Sequence, residues 1–370
     1  MVKFRIILPV FIIFLTGCST LPLQRARTAF YSGNLDKAED ILEGCKGVSE
    51  KDLLLCHMEK GVILHYMGAY EESTEALLRA SDFIKTESQV SITDQSSAIL
   101  VNDRTIKYKG EYSERLWVHT YLMMNFLLRY KYEGALVEGK QALEVFDKYP
   151  ESLTGDHFTR ALIALCFENL NLPDDARIEY EKLAEEMGMD KFTPEPLAPG
   201  KGELILFIGQ GRIPSKVSSN IVLPPSTRIS IPRYGNSSPP MSVKIKSDGV
   251  ILDPMQVSTD LGQVAKKALN DRSAQYFTRQ TLRAGAKEAI AREVGEDSEL
   301  GEIVARAVLF LLEEADTRSW ETLPGSLTLV RVILDSGIHD LEISTENSRT
   351  EHLKRIYIPE GRRLYRSLRF

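Results

Sequence analysis

Apolar and polar positions in this chain follow two different periods. From residue 23 to 189 apolar side chains recur at threes and fours, the spacing that keeps them on one face of an α-helix. Leu35, Ala38, Ile41 and Leu42 form one stripe, Leu53, Leu54, Met58, Val62 and Leu64 another, and Ala76, Leu77, Ala80 and Ile84 a third. Leu116, Trp117, Tyr121, Met124, Leu127 and Leu128 lead into Ala135, Leu136, Ala142, Leu143 and Phe146. Leu162, Ile163, Leu165, Cys166 and Phe167 lead into Ala176, Tyr180, Leu183 and Met187. Past residue 202 short strand-like segments take over, at 203–208, 217–223, 227–231, 241–245, 326–334, 339–343 and 355–358, with proline and glycine between them. They predict a small, mainly antiparallel sheet. Two helical stretches interrupt it, one from Leu261 towards Val294 and one from Leu300 to Ala315. Ala307 to Leu312 is unbroken apolar sequence, far short of the about 20 residues that span a bilayer, so burial against the sheet is expected. The fold class is therefore α+β, a helical domain over 23–189 and a mixed domain of antiparallel strands with two helices over 202–370. Three prolines between 194 and 199 make 190–201 a semi-rigid linker.

Four turns divide the helical stripes into pairs: Tyr31 to Ala38, Tyr66 to Ser73, Arg129 to Ala135 and Leu170 to Ala176. Aligned on the last small residue of each, the intervals are 35, 62 and 41 residues. The tetratricopeptide repeat has a period of about 34. The pattern is a degenerate tetratricopeptide-like solenoid with one large insertion between 86 and 111. Such a unit cannot bury its own apolar face, so neighbouring pairs stack and leave a groove. A groove of this kind suits a protein partner.

The first eighteen residues alter the setting. Met1 to Arg5 is a short positive start, Ile6 to Phe14 is apolar apart from Pro9, and Leu15-Thr-Gly-Cys18 follows. That ending resembles the lipobox of bacterial lipoproteins, which implies that 1–17 is a signal peptide and that Cys18 carries a diacylglycerol on the short tether 18–22. A multiply acylated cysteine, at about 0.8 kcal/mol per buried methylene, anchors a protein without a spanning helix. A secretory signal with a coincidental cysteine is the alternative. The residues after Cys18 include no adjacent aspartate, which by resemblance to Gram-negative sorting implies the outer membrane, facing the periplasm. Cys45 and Cys56 either pair in an oxidising compartment or stay as buried thiols with Cys166; no cysteine pair has zinc-site spacing.

Hydrophobic content of 43% and charged content of 26% are those of a globular protein. The formal charge is −6, and loss of Lys3 and Arg5 leaves 44 basic against 52 acidic side chains, which argues against nucleic acid as a partner.

Asn102-Asp103, Tyr108-x-Gly-Glu111, Glu114-Arg115 and His119, together with Ala315-Asp-Thr-Arg-Ser-Trp320 and Thr322-Leu-Pro324, resemble an uncharacterised family of bacterial repeat-containing envelope lipoproteins. The resemblance covers both halves and implies an architecture without an established reaction. Asn102, Asp103, Tyr108 and Arg115 either contact a ligand at the groove mouth or cap a long loop. Arg318 and Trp320 either form an exposed anchor for a partner or fix a helix-to-strand corner over a buried indole. The tail Gly361–Phe370, with four arginines, is either a solvated end or a basic patch.

Motifs of catalysis are missing from the sequence. Gly209-Gln-Gly211 follows a strand, but Arg212-Ile-Pro-Ser blocks a helix start, so it reads as a turn. No nucleophile elbow, Ser-x-x-Lys pair or His-Glu-x-x-His helix occurs, and Glu71-Glu72, Glu185-Glu186 and Glu313-Glu314 are splayed neighbours. The expectation is a lipid-anchored envelope adaptor with protein partners and with no enzyme activity, cofactor or metal. The alternatives are an enzyme or activator in peptidoglycan or glycan metabolism, with a polar cleft between the domains lined by Asp103, Arg115 or Asp316, and a structural subunit of an export assembly.

Overall fold

A computed structural model of the chain describes residues 21–90, 106–223, 227–311, 313–346 and 350–370. Cys18, Asn102 and Asp103 lie outside the described residues. The N-terminal half is helical: α1 (Leu21–Tyr31), α2 (Leu35–Ile41), α3 (Leu53–Met67), α4 (Tyr70–Val90), α5 (Tyr112–Leu128), α6 (Tyr132–Lys148), the single turn α7 (Pro150–Leu153), α8 (His157–Asn169) and α9 (Pro173–Met187). The turns that pair these helices have local causes. The Asn34 side chain accepts from the Lys37 N–H to start α2, Gly68 closes α3 in a left-handed conformation, and Pro173 opens α9 at a position that needs no N–H donor. Within the second pair, α4 packs so close to α3 that a Cβ at Gly61 would lie 2.5 Å from Leu77. Cys45 and Cys56 form a disulfide with Cα atoms 6.1 Å apart, and Cys166 is free and buried.

After 190–200 the chain enters β1 (Lys201–Gln210), β2 (Lys216–Leu223), β3 (Thr227–Tyr234), β4 (Val243–Ser247), β5 (Val250–Leu252) and β6 (Met255–Asp260). Three helices follow, α10 (Leu261–Asp271), α11 (Ser273–Asp297) and α12 (Glu299–Leu311), then β7 (Ser326–Asp335), β8 (Gly337–Thr345), β9 (Glu351–Ile358) and β10 (Arg363–Arg369). A central sheet has the order β10-β1-β7-β6, an outer one β5-β4-β8-β9, and β2-β3 is a separate ribbon. Pairing is antiparallel except between β1 and β10, which are parallel with Ile205 opposite Tyr365.

The central sheet is covered on both faces. Ile205, Phe207, Leu327, Leu329 and Tyr365 share one core with the helices, while Leu204, Leu206, Ile208, Val330 and Val332 share another with Val243, Ile245, Leu341 and Ile343 of the outer sheet. Side chains alternate between the faces of a strand, so a strand covered on both sides is apolar at almost every position. That is why 204–208 is an uninterrupted apolar run. The first core runs without a break from Leu23 to Tyr365.

Three expectations are corrected. Among the described residues the mixed domain has three helices, because the stretch from Leu261 breaks at Arg272 into α10 and α11. The arginine-rich tail is not a solvated end: it forms β10, where backbone pairing to β1 holds it and Tyr365 is buried. The run from Ala307 is not buried against the sheet, for both faces of that sheet are already taken: Ala307 is exposed and Val308, Leu309 and Phe310 are half-buried, and the stripe ahead of them on α12 is more open still. Leu300, Ile303 and Val304 are 72%, 60% and 46% exposed.

Candidate functional site

The first helices of the pairs, α1, α3, α5 and α8, turn a common face towards the C-terminal half, and a row of buried polar contacts joins the two. At one end Arg27 meets Glu59 at 2.5 Å and Glu321 at 2.7 Å, and donates to the Ser319 carbonyl at 2.8 Å. The Glu59 carboxylate also accepts from the Glu321 and Thr322 N–H groups at 3.0 and 3.1 Å. At the other end Arg331 is held by Glu168 at 2.9 Å and Glu203 at 2.6 Å, and Arg363 joins the same two carboxylates. The surface expected to receive a partner is thus filled by the chain's own sheet domain.

Of the predicted site residues, Tyr108, Arg318 and Trp320 lie in the middle of this row. Tyr108 is buried and donates its hydroxyl to the Glu114 carboxylate. Glu114 Oε1 accepts from the Trp320 N–H at 2.8 Å, and the Trp320 ring, 0% exposed, sits 5.8 Å from Tyr121. Arg318 lies over the Tyr108 ring and binds Asp52 at 2.8 Å and Asp316 at 2.7 Å. Tyr108, Arg318 and Trp320 therefore come together, but inside the protein. The reading of Arg318 and Trp320 as an exposed anchor is corrected by their burial: with both faces of the indole covered, it fixes the corner before β7. Arg115 stays with its own loop, donating to the carbonyls of Lys109 at 3.2 Å and Gly110 at 3.3 Å.

Burial governs the electrostatics here. It pushes the Glu111 carboxyl upwards, but Lys216, 2.5 Å away, and Arg272 outweigh it and hold the group down at about 2. Glu114 is raised, by burial and then by the Glu111 charge, and burial also raises the Tyr108 phenol. These groups are already hydrogen-bonded to one another, so their chemistry is that of a lock between halves. Sequence reasoning passed over Glu59, Lys216, Glu203 and Arg331. The signal for Arg331 was a lone charge in the strand Leu327–Leu334, whose other residues are apolar except Thr328, and for Glu203 a carboxylate opening an apolar run.

Among the open surfaces of the described residues, two combine apolar and charged positions. A cavity of about 1110 Å³ lies beside α9, under the segment 189–197, with the Arg331 cluster at its floor; neither Arg115 nor Asp316 lines it. The second is the hairpin α11–α12. Its inner seam is ionic: Glu288 pairs with Arg306 at 2.5 Å, and Glu313 takes Lys287 as well as Arg283 at 3.6 Å. Its outer positions are apolar, with Leu282, Ile290 and Val294 on α11 and Leu300, Ile303 and Val304 on α12 all exposed. Among the described residues no group of three or more His, Cys, Asp or Glu is placed to hold a metal, and no helix is long and apolar enough to cross a membrane.

The described residues define a class of protein: a half built of paired helices, closed by its own α+β domain through a buried ionic interface. The chain matches no protein-family model and no curated protein. It is similar to solved structures of MamA AMB-1, at 15% identity over 46% of this chain and 73% of that one with a TM-score of 0.30, and of MamA MSR-1, at 16% identity over 46% and 97% with a TM-score of 0.20.

Proposed function

We propose that this chain is a non-enzymatic scaffold of the bacterial envelope, anchored by lipid at Cys18 on the periplasmic side of the outer membrane, and that it docks a protein partner on the α11–α12 hairpin. What supports this reading is the inverted build of that hairpin. A helix pair in water ordinarily buries its apolar stripe and exposes its charges. Here ion pairs zip the seam while Leu300, Ile303 and Val304, spaced three and one apart on one face, meet solvent. A contiguous apolar patch on a protein surface marks an interaction site. The occupant that fits is an amphipathic helix of the partner, laid along the stripe by its own residues at threes and fours. The helical half and the sheet domain, locked together, then serve to hold the hairpin at a set distance from the anchor.

The test places a photocrosslinking amino acid at Ile303 and, as control, at Glu342 on the outer sheet of the full chain in cells. A discrete adduct from Ile303 alone, lost with Leu300→Glu and Val304→Glu, supports the docking reading; equal or absent adducts from both positions overturn it. Mass spectrometry of the N-terminal peptide tests the anchor separately, and an unmodified Cys18 removes it.

A further inference from the structure

The cavity beside α9 carries an inference independent of the hairpin. Its walls are apolar, with Leu172, Ala176, Met189, Phe192 and Leu197 among them, and Tyr180 and Phe192 stand with ring centroids 5.7 Å apart. Its floor offers no charge to an occupant, because Arg331 and Arg363 are cancelled by Glu168 and Glu203, and the Tyr180 hydroxyl donates to Glu168 at 2.6 Å.

The mouth is different. Glu185, Asp190 and Glu195 line it against Lys191, and none of the four has an ion pair among the described residues, whereas Arg177 is taken by Glu181 at 2.6 Å. The C-terminal end of α9, capped by Gly188, adds the negative pole of the helix at the same place. Along one side runs an irregular strip from Asp190 to Leu197. Among the described residues no backbone N–H or carbonyl of this strip pairs with another backbone group. Pro194 and Pro196 bring no N–H, so the strip offers an extended segment its carbonyls and the N–H groups of its other six residues.

We propose that this cavity takes an extended peptide segment of a partner protein, its apolar side chains in the cavity, at least one lysine or arginine at the acidic mouth, and its backbone alongside 190–197. A volume of about 1110 Å³ holds a few side chains at most, since ordinary ligand pockets measure roughly 300–1,000 Å³. The charge at the mouth selects basic over acidic sequences and makes binding weaken with salt. The neutral floor plays no part in that choice.

The probe is a labelled ten-residue peptide alternating lysine with leucine and phenylalanine, compared by fluorescence anisotropy on the purified full chain with the same peptide carrying glutamate in place of lysine. The lysine peptide is expected to saturate and to bind at least about tenfold more tightly. Glu185→Lys with Glu195→Lys, and separately Leu172→Ser with Met189→Ser, are each expected to weaken it by roughly fivefold or more, the usual threshold of an interface residue that matters. All four positions are exposed, so folding is retained, and matching urea midpoints verify it. Glu342→Lys with Glu346→Lys, on the outer sheet, is expected to change nothing. Absence of saturation, an unchanged affinity in the serine pair, or an equal loss in the outer-sheet control overturns the proposal. None of these results bears on the hairpin.

Discussion

Replacing Arg318 by methionine separates a structural role for this residue from a role in recognition. Its guanidinium is 5% exposed, with Nη1 2.8 Å from Oδ1 of Asp52, whose side chain is 0% exposed, and with Nε and Nη2 on Asp316. At an effective dielectric near 20, two unit charges at that separation attract by roughly 6 kcal/mol, and the desolvation of both offsets much of it. Methionine keeps most of the length and apolar body of the side chain but strands the Asp52 carboxylate in the interior. Breaking a buried pair from one side costs about 3–5 kcal/mol. Asp52→Asn removes the stranded charge, so the double variant is expected to recover a large part of that loss, a coupling of roughly 1–3 kcal/mol. Urea unfolding followed by tryptophan fluorescence suits the measurement, since Trp320 lies in the interface and Trp117 in the helical half. A loss below about 1 kcal/mol for the single variant, or strict additivity in the double, refutes the argument, because that is the behaviour of a solvent-screened pair.

Acid should loosen the two halves in two stages. Burial holds the His65 imidazole, between Asn125 at 2.6 Å and Ser367 at 2.7 Å, down at about 4 from its ordinary 6.5. With the folded value below the unfolded one, this contribution is complete above pH 6.5 and lost as pH falls towards 4, by ~3 kcal/mol, and His65→Gln should flatten that part of the stability profile. Glu111, held at about 2 against an ordinary 4.5, stabilises fully above pH 4.5 and gives way between 4.5 and 2, a step that Glu111→Gln removes; a profile unchanged in either variant counts against the assignment. Reduction of the Cys45–Cys56 disulfide, or its replacement by two alanines, opens a loop of sequence separation 11 and should cost about 2–3 kcal/mol, read as a lowered Tm; two free thiols in the untreated protein contradict the bridge.

The helix pairs were legible because their evidence is local. Stripes at threes and fours, an Asn34 cap, a Gly68 turn and a Pro173 start all act within a few residues of one another. Strands β1 to β4 and β7 to β9 were legible for the same reason. Strand β10 was hidden because Arg363, Arg366 and Arg369 give it the look of a solvated tail. In the structure Arg363 finds its carboxylates at Glu168 and Glu203, 195 and 160 positions away. Met255-Gln-Val-Ser-Thr-Asp260 was hidden as β6 because only Val257 and Thr259 face inwards.

Read alone, the residues determined where most helices and strands form and that one follows the other in two blocks, and they singled out Tyr108 in one stretch and Arg318 with Trp320 in another. Only tertiary structure decided that the helices' shared face is closed by the chain's own sheet, that those three residues are inside, and that the α12 stripe is outside. The physical reason is range: a period is set by neighbours along the chain, whereas the burial of a stripe depends on which distant element competes for it. The central sheet has two faces, the helical half and the outer sheet took both, and the hairpin was left with its apolar side in water.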